Sequence, residues 1–309
     1  MKYPILGLGL TVSLSIISTI VLAPHARAQS TTAAHVYIQI QGSTGAVYGF
    51  NASSTGKLST ISRSPFKPAG QIVDSTSTKF LTLGQTLIHF YGIASNGAIQ
   101  SQLAQIPILD YVGSSCDDGP PGDAGAIIDH TGKYIYVVLE ANGGPCADYQ
   151  SYIINSNGSF AFDGDTEVSW SDGTGSSASI PSILGNESFA YANYDYLDSG
   201  PVVTGFRRES SGTLQLMQLQ QNYPALDDDY YVASSPDASP TGNYVVLQLH
   251  PSDGGPTQFA SYAVDSQGNI STTNTSSNMP TSSFVGPGTT FSPSRKLLAA
   301  YADGAETNG

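Results

Sequence analysis

Apolar and polar positions alternate along much of the chain, and one short pattern of them returns five times. In each copy an aromatic residue stands six positions before a glycine, and a large apolar residue stands two positions after it. The copies are Phe50, Gly56 and Leu58; Tyr91, Gly97 and Ile99; Tyr152, Gly158 and Phe160; Phe206, Gly212 and Leu214; and Tyr262, Gly268 and Ile270. Glycine provides the positive φ that a tight turn needs, and the flanking residues face one core. The pattern therefore predicts five β-hairpins.

A second pattern precedes each later hairpin: an apolar strand, a polar turn and another apolar strand. Its copies are "QIVDSTSTKFLTLG", "AGAIIDHTGKYIYVVLE", "IPSILGNESFAYANY" and "YYVASSPDASPTGNYVVLQLH", and a last copy, "GTTFSPSRKLLAAYA", has no hairpin after it. The hairpin glycines are 41, 61, 54 and 56 residues apart. Four short strands per unit are typical of the antiparallel blades of an all-β propeller. A β-sandwich is the alternative, but it does not require this regular recurrence.

Residues 1–28 have the pattern of a secretory signal peptide. Lys2 precedes a mostly apolar run, and the segment ends in Ala26, Arg27 and Ala28, which match an A-x-A cleavage site. The alternative is an uncleaved N-terminal anchor, because the run is nearly long enough to span a bilayer. The sequence therefore predicts a signal peptide at 1–28 and a β-propeller domain at 29–309. The mature protein is expected to be secreted or periplasmic and free of the membrane.

The repeat resembles that of a known family. The stretches "DHTGKYIYV" and "SPTGNYVVL", the hairpins "NGSF" and "GNI", and "SPF" at residues 64–66 are similar to the secreted lactonase-like propellers of the YVTN type. The bacterial 6-phosphogluconolactonases belong to the same superfamily. The resemblance covers nearly all of residues 35–309 at the level of the repeat. It implies a seven-bladed ring and, for the enzymes, catalytic His, Arg and Glu residues around the central channel.

The strand order predicts an incomplete ring. With strands named A to D from the axis outward, the chain begins with "HVYIQI" as a B strand and ends after the A and B strands of a further blade. One blade without its A strand, four full blades and half of another make about five and a half blades. We therefore expect a seven-bladed ring truncated at its C-terminal end, which lacks roughly 60–70 residues at about 40 residues per blade.

Charge distinguishes the two ends of the predicted channel. The D-to-A and B-to-C loops form one end, called here the mouth face; the A-to-B and C-to-D turns form the other, the hairpin face. The net charge is −13, and loss of Lys2 and Arg27 with the signal leaves 9 basic against 24 acidic residues, or −15. Most acids fall in or beside mouth-face loops, where only Lys67, and Arg63 within a strand, oppose them. Such a protein repels nucleic acids and anionic membranes.

The candidate ligand-binding residues belong to these mouth-face loops. They are Asp117, Asp118, Asp123, Tyr194, Tyr196, Asp227, Asp228 and Asp229. The tyrosines of "NYDYLD" could stack on a sugar, and the carboxylates attract cations. Cys116 and Cys146 fall in two loops on the same face of one blade, which predicts a disulfide in an oxidising compartment. Two buried unpaired thiols are the alternative.

No catalytic residue is assigned from the sequence. The stretches "PGDAGAIID" and "IPSILGNESF", which match the family's catalytic regions, offer neither His nor Arg, and His130 falls in an A-to-B turn on the hairpin face. "DGDTEVSWSDG" fails as an EF-hand because Val168 and Thr174 stand where Gly and Glu are required. No cofactor is predicted. A looser Ca²⁺ site at residues 227–229 or 117–118 is the open alternative to solvated acidic turns.

These observations lead to a primary and an alternative function. The primary hypothesis is an exported binding or scaffold module whose ligand approaches the acidic mouth. That ligand is a small molecule, a carbohydrate or a cationic protein surface. The alternative is a lactonase-family hydrolase of a sugar lactone or related neutral substrate, because a phosphorylated lactone would require Arg or His near its phosphate. We expect a monomer that binds no nucleic acid, and whether it is an enzyme is left open.

Overall fold

The computed structural model consists of β-strands. It describes residues 32–39, 45–84, 86–109, 121–141, 146–155, 158–169, 176–196, 202–220, 230–232, 236–239, 241–251, 257–275, 277–282, 289–291 and 298–300. These ranges contain 24 strands, arranged as small antiparallel sheets. Within them there is no helix long and apolar enough to cross a membrane. The prediction of an all-β protein is confirmed.

The first three sheets follow the order of the chain. Their strands are β1 (Thr32–Gln39), β2 (Val47–Ser53), β3 (Leu58–Thr60), β4 (Gln71–Ser75), β5 (Lys79–Leu83), β6 (Leu87–Ile93), β7 (Ile99–Pro107), β8 (Pro121–Ile128), β9 (Tyr134–Ala141), β10 (Cys146–Ile154) and β11 (Phe160–Ser169). Blade 1 has the order β1-β2-β3, blade 2 the order β4-β5-β6-β7 and blade 3 the order β8-β9-β10-β11. Blade 1 therefore begins with its B strand, as predicted.

The later sheets repeat this order with interrupted strands. Their strands are β12 (Ser176–Ala178), β13 (Ser182–Ile183), β14 (Phe189–Tyr196), β15 (Val202–Arg208), β16 (Leu214–Gln220), β17 (Tyr230–Val232), β18 (Asp237–Ala238), β19 (Tyr244–Pro251), β20 (Thr257–Val264), β21 (Ile270–Ser271), β22 (Thr281–Ser282), β23 (Thr289–Phe291) and β24 (Leu298–Ala300). In blade 4 both β12 and β13 pair with β14, and in blade 5 both β17 and β18 pair with β19. The A strand of each of these two blades is therefore divided into two short segments.

The sheets form a β-propeller of five blades, followed by the two-stranded sheet β23-β24. Contacts between A strands of successive sheets connect them around the axis, for example β4 with β8 and β18 with β23. The predicted four-stranded antiparallel blade is confirmed. Seven blades stay a prediction.

The five predicted hairpins are all present, and each turns at its glycine. The amide of each of these glycines donates to the carbonyl three residues earlier, at 2.8–3.1 Å. Their φ angles run from +79° to +107°, a range that L side chains rarely adopt. The positive φ is the physical reason that glycine recurs at this position of every blade.

Apolar cores lie between neighbouring blades, and the residues on either side of the hairpin glycines of blades 2 to 5 contribute to them. In blade 1, by contrast, Leu58 is 40% exposed. Between blades 3 and 4, Phe206 and Leu214 of blade 4 are buried against Tyr136 and Tyr149 of blade 3. The rings of Tyr149 and Phe206 are 4.7 Å apart. Three further cores join blades 1 and 2, 2 and 3, and 4 and 5 in the same way. Burial of aromatic and aliphatic side chains between blades is therefore the main force that holds the propeller together.

A hydrogen bond from a B-strand tyrosine to the hairpin glycine of the next blade recurs at three interfaces. The hydroxyl donates to the glycine carbonyl in the pairs Tyr37–Gly97 at 2.7 Å, Tyr136–Gly212 at 2.8 Å and Tyr191–Gly268 at 2.7 Å. Opposite each tyrosine the C strand has a small residue, which leaves room for the ring; these residues are Gly49, Ser151 and Gly205. Burial raises the pKa of all three hydroxyls, so they remain protonated donors.

The interface between blades 2 and 3 replaces this hydrogen bond with ring packing. Leu81 occupies the tyrosine position and pairs with Phe90 instead of a small residue. The Phe90 ring packs edge-on against Phe160, with centroids 5.0 Å apart. Phe160 follows the hairpin glycine Gly158 by two positions, so apolar contact takes the place of the tyrosine hydrogen bond at this hairpin.

Removal of the tyrosine hydroxyl is expected to weaken the interfaces that use it. Tyr136→Phe and Tyr191→Phe should each lower the free energy of unfolding by about 1 kcal/mol, because a buried hydrogen bond is lost while ring packing is kept. Tyr244→Phe is the matched control, since Tyr244 is 51% exposed. Urea unfolding measures all three. Equal effects at Tyr136 and Tyr244 would show that the hydrogen bond contributes nothing.

Candidate functional site

Five of the eight predicted ligand-binding residues, Asp117, Asp118, Asp227, Asp228 and Asp229, lie outside the described residues. The connections that contain them join β7 to β8 and β16 to β17, which are D-to-A connections on the mouth face. Their role therefore stays a prediction.

The other three predicted residues have described backbone positions. Asp123 lies near the start of β8, and Tyr194 and Tyr196 lie at the end of β14. Both ends are on the mouth face, as predicted. The tyrosines are strand residues, however, because β14 pairs with β12 as far as Tyr196 and Ser176.

The predicted disulfide involves one described residue. Cys146 is the first residue of β10 and is buried. Cys116 lies outside the described residues, so the pairing stays a prediction.

The mouth half of the blades contains buried polar side chains that the sequence analysis did not single out. They lie on B and C strands: Thr82, His89, Asp148, Gln150, Asn193, Thr204, Gln248, Thr257 and Gln258. The hairpin half of the same strands is mostly apolar. The sequence did contain a signal, since "CADYQSY" places Asp148 and Gln150 alternately with aromatic and small residues in one strand. The interior therefore changes from apolar to polar towards the mouth.

In blade 3, three buried polar side chains on one face of β10 are linked by hydrogen bonds. Tyr152 donates to Gln150 Oε1 at 2.7 Å, and Gln150 Nε2 donates to Asp148 Oδ2 at 3.0 Å. Gln150 Nε2 also lies 3.2 Å from the carbonyl of Leu109, just beyond the end of β7. Burial raises the pKa of Tyr152 to about 12, so its hydroxyl remains a donor at neutral pH. These hydrogen bonds run along β10 towards the carboxylate of Asp148, which lies near the mouth end of the strand.

Several polar atoms in this region have no protein hydrogen-bond partner. Among the described residues they include His89 Nδ1, Asn193 Oδ1 and Thr204 Oγ1. All three residues are at least nine-tenths buried. Polar groups in such places are normally satisfied by ordered water or by polar atoms of a ligand, because leaving them unpaired costs about 1–3 kcal/mol each. The mouth half of the interior is thus polar, in contrast to the apolar hairpin half.

The described cations are concentrated at the opposite end. Five of them lie on or beside hairpin-face turns: Lys57, Lys79, Lys133, Arg207 and Arg208. On the mouth side, the D-to-A connection of blade 1 contains Arg63 and Lys67, which are both exposed. The separation of cations expected from the sequence therefore holds for the described part of the chain. The prediction that Arg63 lies within a strand is wrong, because β3 ends at Thr60.

The hairpin face has an ion-pair cluster that joins blades 3 and 4. Arg208 at the end of β15 donates to Asp129 Oδ2 at 2.9 Å and to Glu187 Oε2 at 2.7 Å. Asp129 is fully buried, and its Oδ1 also accepts from the amides of Lys133 and Tyr134. Each of the three side chains contacts another member of the cluster, so the contacts position the blades. His130 lies in the turn between β8 and β9, as predicted.

Comparison with known proteins supports the fold. No protein-family model and no curated protein matches the chain. The solved structures that resemble it include a candidate 6-phosphogluconolactonase from Bacteroides uniformis, with a TM-score of 0.59 and 14% identity over 85% of this chain and 73% of that one. The periplasmic gluconolactonase of Pseudomonas aeruginosa has a TM-score of 0.50 and 14% identity, over 85% of this chain and 87% of that one. TolB from Acinetobacter baumannii has a TM-score of 0.51 and 11% identity, over 88% of this chain and 58% of that one. At these identities the likeness shows a β-propeller and no particular activity.

Proposed function

We propose that this protein is an exported β-propeller that binds a neutral or cationic ligand at its mouth face and does not catalyse a reaction of that ligand. The observation that carries the proposal is the separation of groups along the channel axis. Buried polar side chains occupy the mouth half of the blades, and five described cations occupy the hairpin face. A ligand that enters the mouth therefore meets hydrogen-bonding groups and negative charge.

Electrostatics selects the class of ligand. A cleft with charges of one sign concentrates ligands of the opposite sign and repels those of the same sign. The D-to-A connections between β7 and β8 and between β16 and β17 contain Asp117, Asp118, Asp227, Asp228 and Asp229, and neither contains Lys or Arg. A phosphorylated sugar would need cationic partners there. Neutral saccharides, amino sugars and basic protein surfaces fit better.

Recognition of a sugar would use two kinds of contact. Tyr194 and Tyr196 lie at the mouth end of β14, where an aromatic face can stack on a pyranose ring. The carboxylate of Asp123, near the start of β8, would accept hydrogen bonds from hydroxyl groups. The compartment proposed is the periplasm or the extracellular space, because residues 1–28 have the pattern of a signal peptide.

Calorimetric titration with a neutral saccharide and with the corresponding amino sugar tests the proposal. The triple change of Asp227, Asp228 and Asp229 to Asn should weaken binding of the amino sugar by about tenfold, or about 1.4 kcal/mol, and weaken the neutral sugar less. Glu209→Gln is the matched control, because Glu209 is an exposed carboxylate in the hairpin turn of blade 4. Equal losses for Glu209→Gln and the triple variant would contradict a mouth-face site.

The second candidate is hydrolysis of an unphosphorylated sugar lactone. The similar structure from Pseudomonas aeruginosa favours it, since that protein is named a periplasmic gluconolactonase. The similar structure from Bacteroides uniformis is named for the phosphorylated lactone instead. A lactone-hydrolysis assay separates the two candidates. Turnover by the wild-type protein that is lost in Asp123→Asn or in the triple variant would replace the binding proposal with this one.

A further inference from the structure

A second group of charged side chains surrounds His130 on the hairpin face, where blades 2, 3 and 4 meet. His130 belongs to the turn between β8 and β9 of blade 3, and its side chain is 54% exposed. Its Nδ1 lies 2.8 Å from Glu187 Oε1 in the corresponding turn of blade 4. The contact therefore joins two blades through residues 57 positions apart in the sequence.

Glu187 is held from both sides. Its second carboxylate oxygen, Oε2, accepts from Arg208 Nη1 at 2.7 Å, and the same nitrogen lies 3.3 Å from the Glu187 carbonyl. Glu187 also has a φ of +59°, which is uncommon for a residue with a side chain. The carboxylate thus connects the buried Arg208 to the exposed imidazole, and the position of the turn in blade 4 depends on both contacts.

The charged groups around the turn that contains His130 come from three blades. They are Asp74 and Lys79 of blade 2, Asp129 and Lys133 of its own turn region, and Glu187 and Arg208 of blade 4. Arg208 is already paired with Asp129 and Glu187, and the Lys79 ammonium lies over the Phe90 ring, 5.2 Å from its centroid. Asp74 Oδ2 accepts from the Ile128 amide at 2.8 Å and so fixes the start of this turn. Three carboxylates around one imidazole favour its cationic form.

We propose that His130 is a proton-dependent latch between blades 3 and 4. When the imidazole is protonated, its N–H donates to Glu187 with opposite charges in contact and holds the two hairpin-face turns together. When it is neutral, the charge attraction is lost, and Arg208 remains as the charged link from Glu187 of blade 4 to Asp129 of blade 3. The latch lies at the end of the channel opposite the proposed ligand site and is independent of what binds there.

The direction of the pH dependence follows from the surroundings of His130. The hydrogen bond to Glu187 raises the pKa of His130 above its ordinary value of 6.5, with support from the charges of Glu187, Asp129 and Asp74, while burial opposes the shift. A raised folded-state pKa means that the latch stabilises the protein fully below about pH 6.5 and is lost as the pH rises through the raised value. Because the imidazole is half exposed, salt should weaken the effect.

Thermal unfolding of the full chain between about pH 5.5 and 9 tests the latch. Relative to His130→Gln, the wild-type Tm should be higher by roughly 2–4 °C at the acid end, and the difference should disappear at the alkaline end. Glu209→Gln, a carboxylate removed from the same face, should follow the wild type throughout. A constant difference between wild type and His130→Gln would overturn the proposal.

The titration of His130 by NMR gives a readout that a merely structural role would not move. The His130 pKa should lie above 6.5 in the wild type and fall in Asp74→Asn, which removes a nearby charge and keeps an oxygen that can accept from Ile128. A wild-type pKa at or below 6.5, or one that is unchanged in Asp74→Asn, would overturn the proposal.

Discussion

Replacement of Gly212 by alanine is expected to lower the free energy of unfolding by about 3 kcal/mol or more, the largest effect of any single methyl group added to a hairpin. Gly212 has a φ of +107°, which costs an L residue about 1–2 kcal/mol. A Cβ at this position would also overlap the ring of Tyr134 in the neighbouring blade. That ring cannot easily move, because the Arg208 guanidinium lies over it, 4.5 Å from the centroid. Overpacking of this kind adds about 1–3 kcal/mol.

Gly158→Ala is the matched control for Gly212→Ala. Gly158 occupies the same position in the hairpin of blade 3, with a φ of +82°, and a Cβ there would meet nothing within 4 Å. This substitution should therefore cost only the backbone strain of about 1–2 kcal/mol. Chemical denaturation of both variants measures the difference. If the two variants were equally stable, close packing between blades would not explain why glycine recurs at Gly212.

Arg208→Met is expected to destabilise the protein by about 3–5 kcal/mol, because it leaves two carboxylates without their cation in a region with little access to water. Asp129 is fully buried, and the Arg208 side chain is only 9% exposed. A buried ion pair stabilises a protein little more than apolar groups of the same size would. Removal of one partner is nevertheless strongly destabilising, because the other charge then stays buried without a compensating partner. Urea unfolding at neutral pH measures the loss.

The neighbouring arginine provides the control for Arg208→Met. Arg207 is exposed and forms no ion pair with a described residue, although it lies over the Phe189 ring at 5.7 Å. Arg207→Met should cost less than about 1 kcal/mol. If the uncompensated carboxylates are the cause, Arg208→Met combined with Asp129→Asn and Glu187→Gln should be more stable than Arg208→Met alone. A triple variant less stable than the single one would contradict this explanation.

The architecture could be predicted from the sequence because the blade repeat is local. The repeat pattern spans only nine residues: a glycine with positive φ, an aromatic residue six positions before it and an apolar residue two positions after it. Together these residues define a hairpin with one buried face. The order of the strands then followed from the alternation of apolar runs and turns. The blade count and the position of the first B strand depended only on this local information.

The contacts between blades could not be predicted in the same way. Arg208 and Asp129 are 79 positions apart, and Tyr136 and Gly212 are 76 apart. Their meeting depends on how one blade is rotated against the next, which no short stretch of sequence specifies. One clue was available, since Tyr37, Tyr136 and Tyr191 occupy equivalent B-strand positions opposite small residues.

The candidate site was predicted only in outline. The acidic loops and their position on the mouth face follow from composition and strand order, but the buried polar groups behind them do not. His89 stands among apolar residues in β6 and Asn193 follows an apolar run in β14, and only the stacking of blades shows that both lie in the mouth half of the interior. Their alternation with apolar residues is the same as that of ordinary surface positions.

The selectivity of the mouth for uncharged or cationic ligands is the central claim, and a comparison of two lactones tests it most directly. Gluconolactone and 6-phosphogluconolactone differ by one phosphate group, so their binding and hydrolysis can be measured side by side on the full chain. The account predicts that 6-phosphogluconolactone is neither bound nor hydrolysed, because the mouth-face loops repel its phosphate. Binding or turnover of 6-phosphogluconolactone in preference to gluconolactone would contradict the account.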